Sequence, residues 1–394
     1  MSTTSNLGRE RQPVGFVPLA RRNLLANKPR LLRSSGGIGF AVLLMLMQLG
    51  FEKAFFNASL EIISLLEGDI FLQRASKYRF ATKDPFPARD LEAARIVPGV
   101  ASAWPLYADW HHVFWRNPAD GKNFLVRVFA FDPDQPVLSL PQLEGSLKDL
   151  SELETGVVDR RARRFLGMDP PPPAGELNGG KIKIIGSFAI GPDFENDGTV
   201  VIGDRSFKKL LPNPGGGPLD VELGVVRLTP GSDPIVVQQA IAAVVPADVA
   251  VLTKAQLLEL ERIFQADVSS AGPIFVMGTL VGFIVGMLIA YQIIYTDVAE
   301  QQPQYATMKA MGYSTRYLVR VVLEQAALSA LAGWVPAVLI SILLFRIIGE
   351  VALLPLHMTV ELALLSLLLT LAMCLISAVM AVRRVVSADP AEVF

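Results

Sequence analysis

Residues 273–295 read PIFVMGTLVGFIVGMLIAYQIIY, the centre of a run from 268 to 296 without a single charged side chain. About 18 apolar residues in a helix suffice to cross roughly 30 Å of hydrocarbon. Three more runs, 34–51, 325–345 and 362–382, meet the same condition. Their strongest polar side chains are Gln48 and Gln292, with Gln325 at a margin. An ion-coupled transporter keeps an ionisable group at membrane depth, so these charge-free spans count against that class. The 51% hydrophobic content agrees with a membrane protein that carries a soluble part. The net charge of −1 gives no pull toward nucleic acid.

The first run follows a leader with Arg9, Arg11, Arg21, Arg22, Lys28, Arg30 and Arg33 against Glu10. It is longer than the apolar core of a secretory signal, and FEKAFFNASLEI offers no small-x-small cleavage site, so it reads as an uncleaved span. Arg383 and Arg384 follow the last run, and the positive-inside rule puts both termini in the cytoplasm. The expected fold is a membrane α-helical protein with four transmembrane helices and a large extracytoplasmic α+β domain inserted between helices 1 and 2. Its segments are an amphipathic cytoplasmic lead-in at 1–33, spans at 34–56, 268–296, 325–345 and 362–382, and the external domain at 57–267. A cytoplasmic loop at 297–324, a short outer loop at 346–361 and a cytoplasmic C-terminus at 383–394 complete the chain.

Within the domain, HHVFWR, FLVRVFAF, KIKIIGSFAI, TVVIGD and VELGVVRL are short and rich in β-branched or aromatic residues and read as strands. SDPIVVQQAIAAVV and TKAQLLELERIFQA carry helical spacing behind a Ser or Thr cap. The proline-rich 168–180 reads as an exposed connector between subdomains. With Cys374 alone, no intrachain disulfide can form, and the domain depends on its core.

Two patterns imitate chemistry. GELNGGK, 175–181, matches the start of a phosphate-binding loop, but Ile182 stands where a hydroxyl should hold Mg²⁺ and a strand follows where a helix is required. It reads as a turn into a strand. His111 and His112 point to opposite faces of a strand, and His357 is remote, which makes a poor metal site. No nucleophile or metalloprotease motif is present, and neither a catalytic nor a cofactor-binding residue is assigned.

Two stretches carry mechanism. Gly278, Gly282, Gly286 and Ala290 recur every four residues, a spacing that lets helix backbones approach closely in lipid, within a protomer or across a dimer. In EQQPQYATMKAMGYSTRY, 300–317, Pro303 suits the first turn of a short helix, Gly312 can take the left-handed position that ends it, and Ser314 can cap the helix that becomes the third span. Tyr305, Met308 and Met311 are expected to be available for docking into a partner's groove. The plainer alternative is a helix lying on the headgroups.

QYATMKAMGYSTRYLVRVVLEQA is similar to the segment after the second span in permeases of the MacB and FtsX superfamily, of the type RE-x-G-x-x-x-A-x-G-A. AVRRVVSADPAEVF resembles the closing segment of that family (ARRAARLDPVEALR), and LARRNLLANKPRLLRSSGGIGFAVLL its first span. The resemblance is strongest to DevC-type permeases of DevBCA-like exporters, whose segment favours PQYATLKAMGY, although Pro303-Gln304-Tyr305 stands where many relatives carry Arg-Glu. The resemblance implies that Gln302, Pro303, Gln304, Tyr305, Ala306, Thr307, Met308, Lys309, Ala310, Met311 and Gly312 couple to a separate cytoplasmic ABC ATPase, which would bind the ATP and Mg²⁺. It also implies Arg383, Arg384, Asp389 and Pro390 as a cytoplasmic C-terminal element. The further implications are a homodimer in the inner membrane, a periplasmic membrane-fusion adaptor, an outer-membrane channel and a lipid or glycolipid cargo. FtsX-like relatives, which activate periplasmic partners without transporting anything, supply the competing expectation.

Overall fold

Four helices long and apolar enough to cross a membrane bracket a sheet-rich insertion in the computed structural model, which describes residues 28–212, 220–269 and 271–386. In chain order the elements are α1 (Lys28–Leu65), β1 (Ile70–Arg74), α2 (Ala88–Arg95), β2 (Val100–Arg116), β3 (Asn123–Phe131), β4 (Thr155–Asp159), β5 (Ala174–Leu177) and β6 (Gly180–Phe188). They continue with β7 (Thr199–Gly203), α3 (Asp204–Leu210), β8 (Leu223–Leu228), α4 (Pro234–Ala242), β9 (Val249–Thr253) and α5 (Lys254–Ile263). A π turn (Phe264–Val268) precedes α6 (Ala271–Glu300), α7 (Gln302–Ala310), α8 (Thr315–Ala352) and α9 (Val360–Val386).

The helices outrun the charge-free runs. The first does not stop at 56 but continues to Leu65, because nothing after Gly50 breaks it and Ala58, Ile62 and Ile63 bury into the insertion. The third continues to Ala352, which shortens the outer loop expected at 346–361 to a few residues after Leu353, a left-handed residue at φ 58°. Among the described residues the chain divides into two compact units, one from 28–47, 278–342 and 358–386, the other from 48–277 and 343–357.

The first unit is a helix bundle held by close backbone approach. A Cβ on Gly39 would lie 3.1 Å from the Gly333 carbonyl oxygen, and one on Gly333 would lie 2.8 Å from the Ile38 side chain. Polar groups turn inward in pairs. Ser377 Oγ donates to the Met287 carbonyl at 2.8 Å, and Trp334 Nε1 donates to Ser366 Oγ at 3.0 Å.

In the second unit, β9-β1-β8-β2 form an antiparallel sheet in that order, with α2 after β1 and α4 after β8 supplying the crossovers. This is a pair of interlocked split β-α-β units. Ile70, Leu72, Leu91, Val226, Val237 and Ile241 fill the space under the two helices. The 17-residue β2 is shared. Its first half pairs β8, while its second half pairs β3 and β5. From β3 the pairing runs through β7, β4 and β6 to β5 and back to β2, closing a six-stranded barrel among the described residues. Trp115, Val126, Val128, Val158 and Ile202 pack inside it. Closure removes the exposed edges that open strands would leave.

All five expected strands form, in β2, β3, β6, β7 and β8. Both expected helices form too, but only Thr253 of α5 is the cap expected, in a capping box with Gln256. At α4 the cap is Asp233, which accepts from Ile235 N, and not Ser232. The proline-rich 168–180 is not an inter-subdomain connector. It contains β5 and a tight Asn178-Gly179 turn, φ 50° and 83°, into β6, all within the barrel. The phosphate-loop imitation is therefore a β-hairpin. His111 and His112 sit in a bulge of β2, where both backbone N–H groups donate to Asp109 Oδ1.

Candidate functional site

The short helix expected after the second span is present as α7. Pro303 occupies its first turn, where a missing N–H costs nothing. Its end is a Schellman arrangement, in which Gly312 N donates to Lys309 O at 3.0 Å and Tyr313 N donates to Met308 O at 3.1 Å. Gly312 has φ 92°, and a Cβ there would meet no atom within 4 Å, so the backbone conformation, not space, demands glycine. Ser314 Oγ then accepts from Tyr317 N at 3.4 Å at the start of α8.

The two faces of α7 differ from expectation at one residue. Tyr305 is 4% exposed, with its hydroxyl donating to Gln301 Oε1 at 2.9 Å, and so it anchors α7 inward and is not presented for docking. Met308 is half-buried, whereas Met311 is 65% exposed. The outward surface is Pro303, Gln304, Thr307, Lys309, Ala310 and Met311, with Gln302 and Ala306 at its margin.

The glycine stripe of α6 divides. Ala290 is buried, and a Cβ on Gly286 would lie 2.9 Å from Met373 Sδ and 3.2 Å from Ala41 Cβ, so this half seals α6 against α9 and α1. Gly282 has nothing within 4 Å, and Gly278 is half-buried. Sequence spacing missed Gly37, whose Cβ would lie 2.7 Å from Ile293 Cδ1, because it stands in no repeat. Asp389 and Pro390 lie outside the described residues, as do the side chains of Arg383 and Arg384.

In the second unit a small open cleft lies beside the C-terminal part of α1, lined by Phe55, Arg79, Trp110, Arg127, Glu195 and Glu261 among others. Arg127 is buried, donating to Asp193 Oδ2 at 2.6 Å and to Thr199 Oγ1 at 2.8 and 3.1 Å. Glu261 accepts from Phe80 N at 2.8 Å and Gln265 Nε2 at 2.9 Å. Burial lifts its carboxyl above the ordinary range, against the pull of those donors and of Arg79. Lys77 and Glu222 form a second buried pair, in which burial holds the ammonium below its usual value despite the carboxylate. Neither pair was legible, since the partners stand 66 and 145 positions apart.

Residues 272–390 match the family described as FtsX-like permease C-terminal. The match covers 119 residues in the C-terminal part of the chain, which are similar to that family. That segment spans α6 to α9 and includes α7 with all of its outward surface. No curated protein matches the chain. Among solved structures, the periplasmic region of MacB from Actinobacillus actinomycetemcomitans is similar at 10% identity and TM-score 0.37, covering 50% of this chain and 92% of that one. The extracellular domain of the noncanonic ABC-type transporter YknZ from Gram-positive bacteria is similar at 12% identity and TM-score 0.34, covering 47% and 99%. With four membrane-length helices, the chain is a multi-pass membrane protein.

Proposed function

We propose that this chain is the permease subunit of a mechanotransmission-type ABC exporter related to MacB and, more narrowly, to DevC-type permeases. A separate cytoplasmic ATPase docks on the outward surface of α7 and binds the ATP. The observation that carries this reading is a nine-residue helix, begun by Pro303, closed at its C-terminal end by a Schellman turn and anchored by Tyr305, held between two membrane helices inside the FtsX-like segment with its opposite face exposed. A helix fixed at both ends cannot absorb a push by sliding, so force on it passes into α6 and α8.

In this reading both termini are cytoplasmic, the chain is a homodimer in the inner membrane, and the sheet-rich insertion is periplasmic. There it meets a membrane-fusion adaptor that leads to an outer-membrane channel, and the cargo is a lipid or glycolipid gathered on the far side of the membrane. The test is co-purification with the cognate ATPase from membranes. Thr307→Glu and Ala310→Glu place a charge on the outward surface without touching the Tyr305 anchor. Release of the ATPase by both, with the chain retained in the membrane, supports the reading, and full retention by both overturns it.

A further inference from the structure

The route from the second span into the sheet-rich insertion runs through one short junction. After α5 the chain makes a single π turn, Phe264–Val268, and α6 begins at Ala271. Such single π turns are rare and recur at functional sites. Here Ser269 N donates to Phe264 O at 2.7 Å, and Ala271 N donates to Ser269 Oγ at 3.2 Å. Gly272 has no room for a side chain, because its Cβ would lie 2.5 Å from the Ala266 carbonyl oxygen and 2.8 Å from that of Gln265. The first turn of α6 therefore presses on the π turn through bare backbone.

The other side of the π turn is bound to the loop after β1. Glu261 receives the Phe80 N–H and the Gln265 amide, the Arg79 guanidinium lies 5.4 Å from the Phe264 ring centroid, and the Tyr78 ring lies 5.6 Å from it. That loop is in turn fixed to three separate parts of the insertion. Lys77 pairs with Glu222 beside β8, Arg79 with Glu195 in the loop before β7, and Lys83 with Asp109 in the β2 bulge. The three partners lie on two different strand connections and in β2 itself, so a shift of residues 77–83 reaches the sheet and the barrel together.

We propose that this junction is the joint that carries movement of the second span into the insertion, with Glu261 and Gly272 as its positioning residues. The proposal rests on the mechanotransmission reading above. Glu261 keeps the loop on the π turn, and Gly272 keeps α6 on its other side. Neither lies on the outward surface of α7.

The test uses the full chain with its ATPase in nanodiscs and reads amide hydrogen exchange in peptides spanning 75–86, with and without a non-hydrolysable ATP analogue. Wild type is expected to change exchange there when nucleotide binds. Glu261→Ala and Gly272→Val are expected to lose that change while keeping the ATPase bound and hydrolysing ATP. Glu261→Gln, whose amide oxygen still accepts the Phe80 N–H, is expected to retain it, which separates a positioning role from general damage. A nucleotide-dependent change of wild-type size in both Glu261→Ala and Gly272→Val would overturn the joint and leave the mechanotransmission reading standing. Absence of any change in wild type, with the ATPase bound, would overturn both.

Discussion

Replacing Asp193 with Asn isolates the cost of stranding a buried charge. The Arg127 side chain is 2% exposed, and Asp193, 17% exposed, is the carboxylate paired with it at 2.6 Å. Removing one partner of a buried pair costs about 3–5 kcal/mol, because the remaining charge is left without compensation in a low-dielectric interior. Two features place this site at the low end. Thr199 Oγ1 still takes two of the guanidinium N–H groups, and an asparagine retains one oxygen that can accept. About 3 kcal/mol corresponds to a change of roughly 150-fold in the open population. Native-state hydrogen exchange should read this as a loss of about two decades of protection along β3 and β7, which Arg127 and Thr199 tie together. The double variant Arg127→Met, Asp193→Asn should be more stable than Asp193→Asn alone, since no unpaired charge remains. Protection in Asp193→Asn within about threefold of wild type would refute the reasoning, for it would mean that the pair is solvated.

Three further outcomes follow from the same geometry. Gly186→Ala should destabilise the barrel by more than about 2 kcal/mol, read as loss of folded chain in a thermal scan, because its Cβ would lie 2.0 Å from the Glu144 carbonyl, a backbone atom that cannot swing away. Gly286→Val should lower the thermal midpoint in nanodiscs by driving into Met373 and Ala41, whereas Gly282→Val should leave that midpoint unchanged and, if the proposed homodimer uses this part of α6, reduce cross-linked dimer. The Glu261 carboxyl titrates above its usual value of 4.5 through burial, so the folded state binds the extra proton between that value and its raised one. Stability of wild type relative to Glu261→Gln should therefore rise as pH falls through that window, with denaturant titration as the measure and a flat difference as the contrary result.

What the sequence disclosed and withheld follows from the range of the interactions. The four spans were legible because hydrocarbon imposes length and polarity on every residue of a run, and α7 because Pro303, Gly312 and Ser314 act through their own backbone neighbours. The inward turn of Tyr305 was not, since Tyr305, Met308 and Met311 recur three residues apart on one side of the chain and nothing in their order separates the one that buries from the one that stays exposed. Barrel closure depends on β2 serving two partners at once, and nothing in VASAWPLYADWHHVFWR marks where β8 hands over to β3. The β5 strand was hidden in the proline-rich segment because AGEL has no β-branched residue, and it forms by pairing with β6 and β2. In LLELERI nothing sets Glu261 apart from Glu259, and only the loop brought to it from 181 positions away makes it a buried acceptor.

The docking of an ATPase on the outward surface of α7 is tested most directly by site-specific cross-linking in membranes, with the single native thiol removed as Cys374→Ser. Cysteines placed at Thr307 and Ala310, both exposed, should cross-link to the co-expressed ATPase, while a cysteine at the buried Tyr305 should not. If the ATPase co-purifies yet neither exposed position cross-links to it, the force does not enter through α7 and the account is wrong at its centre.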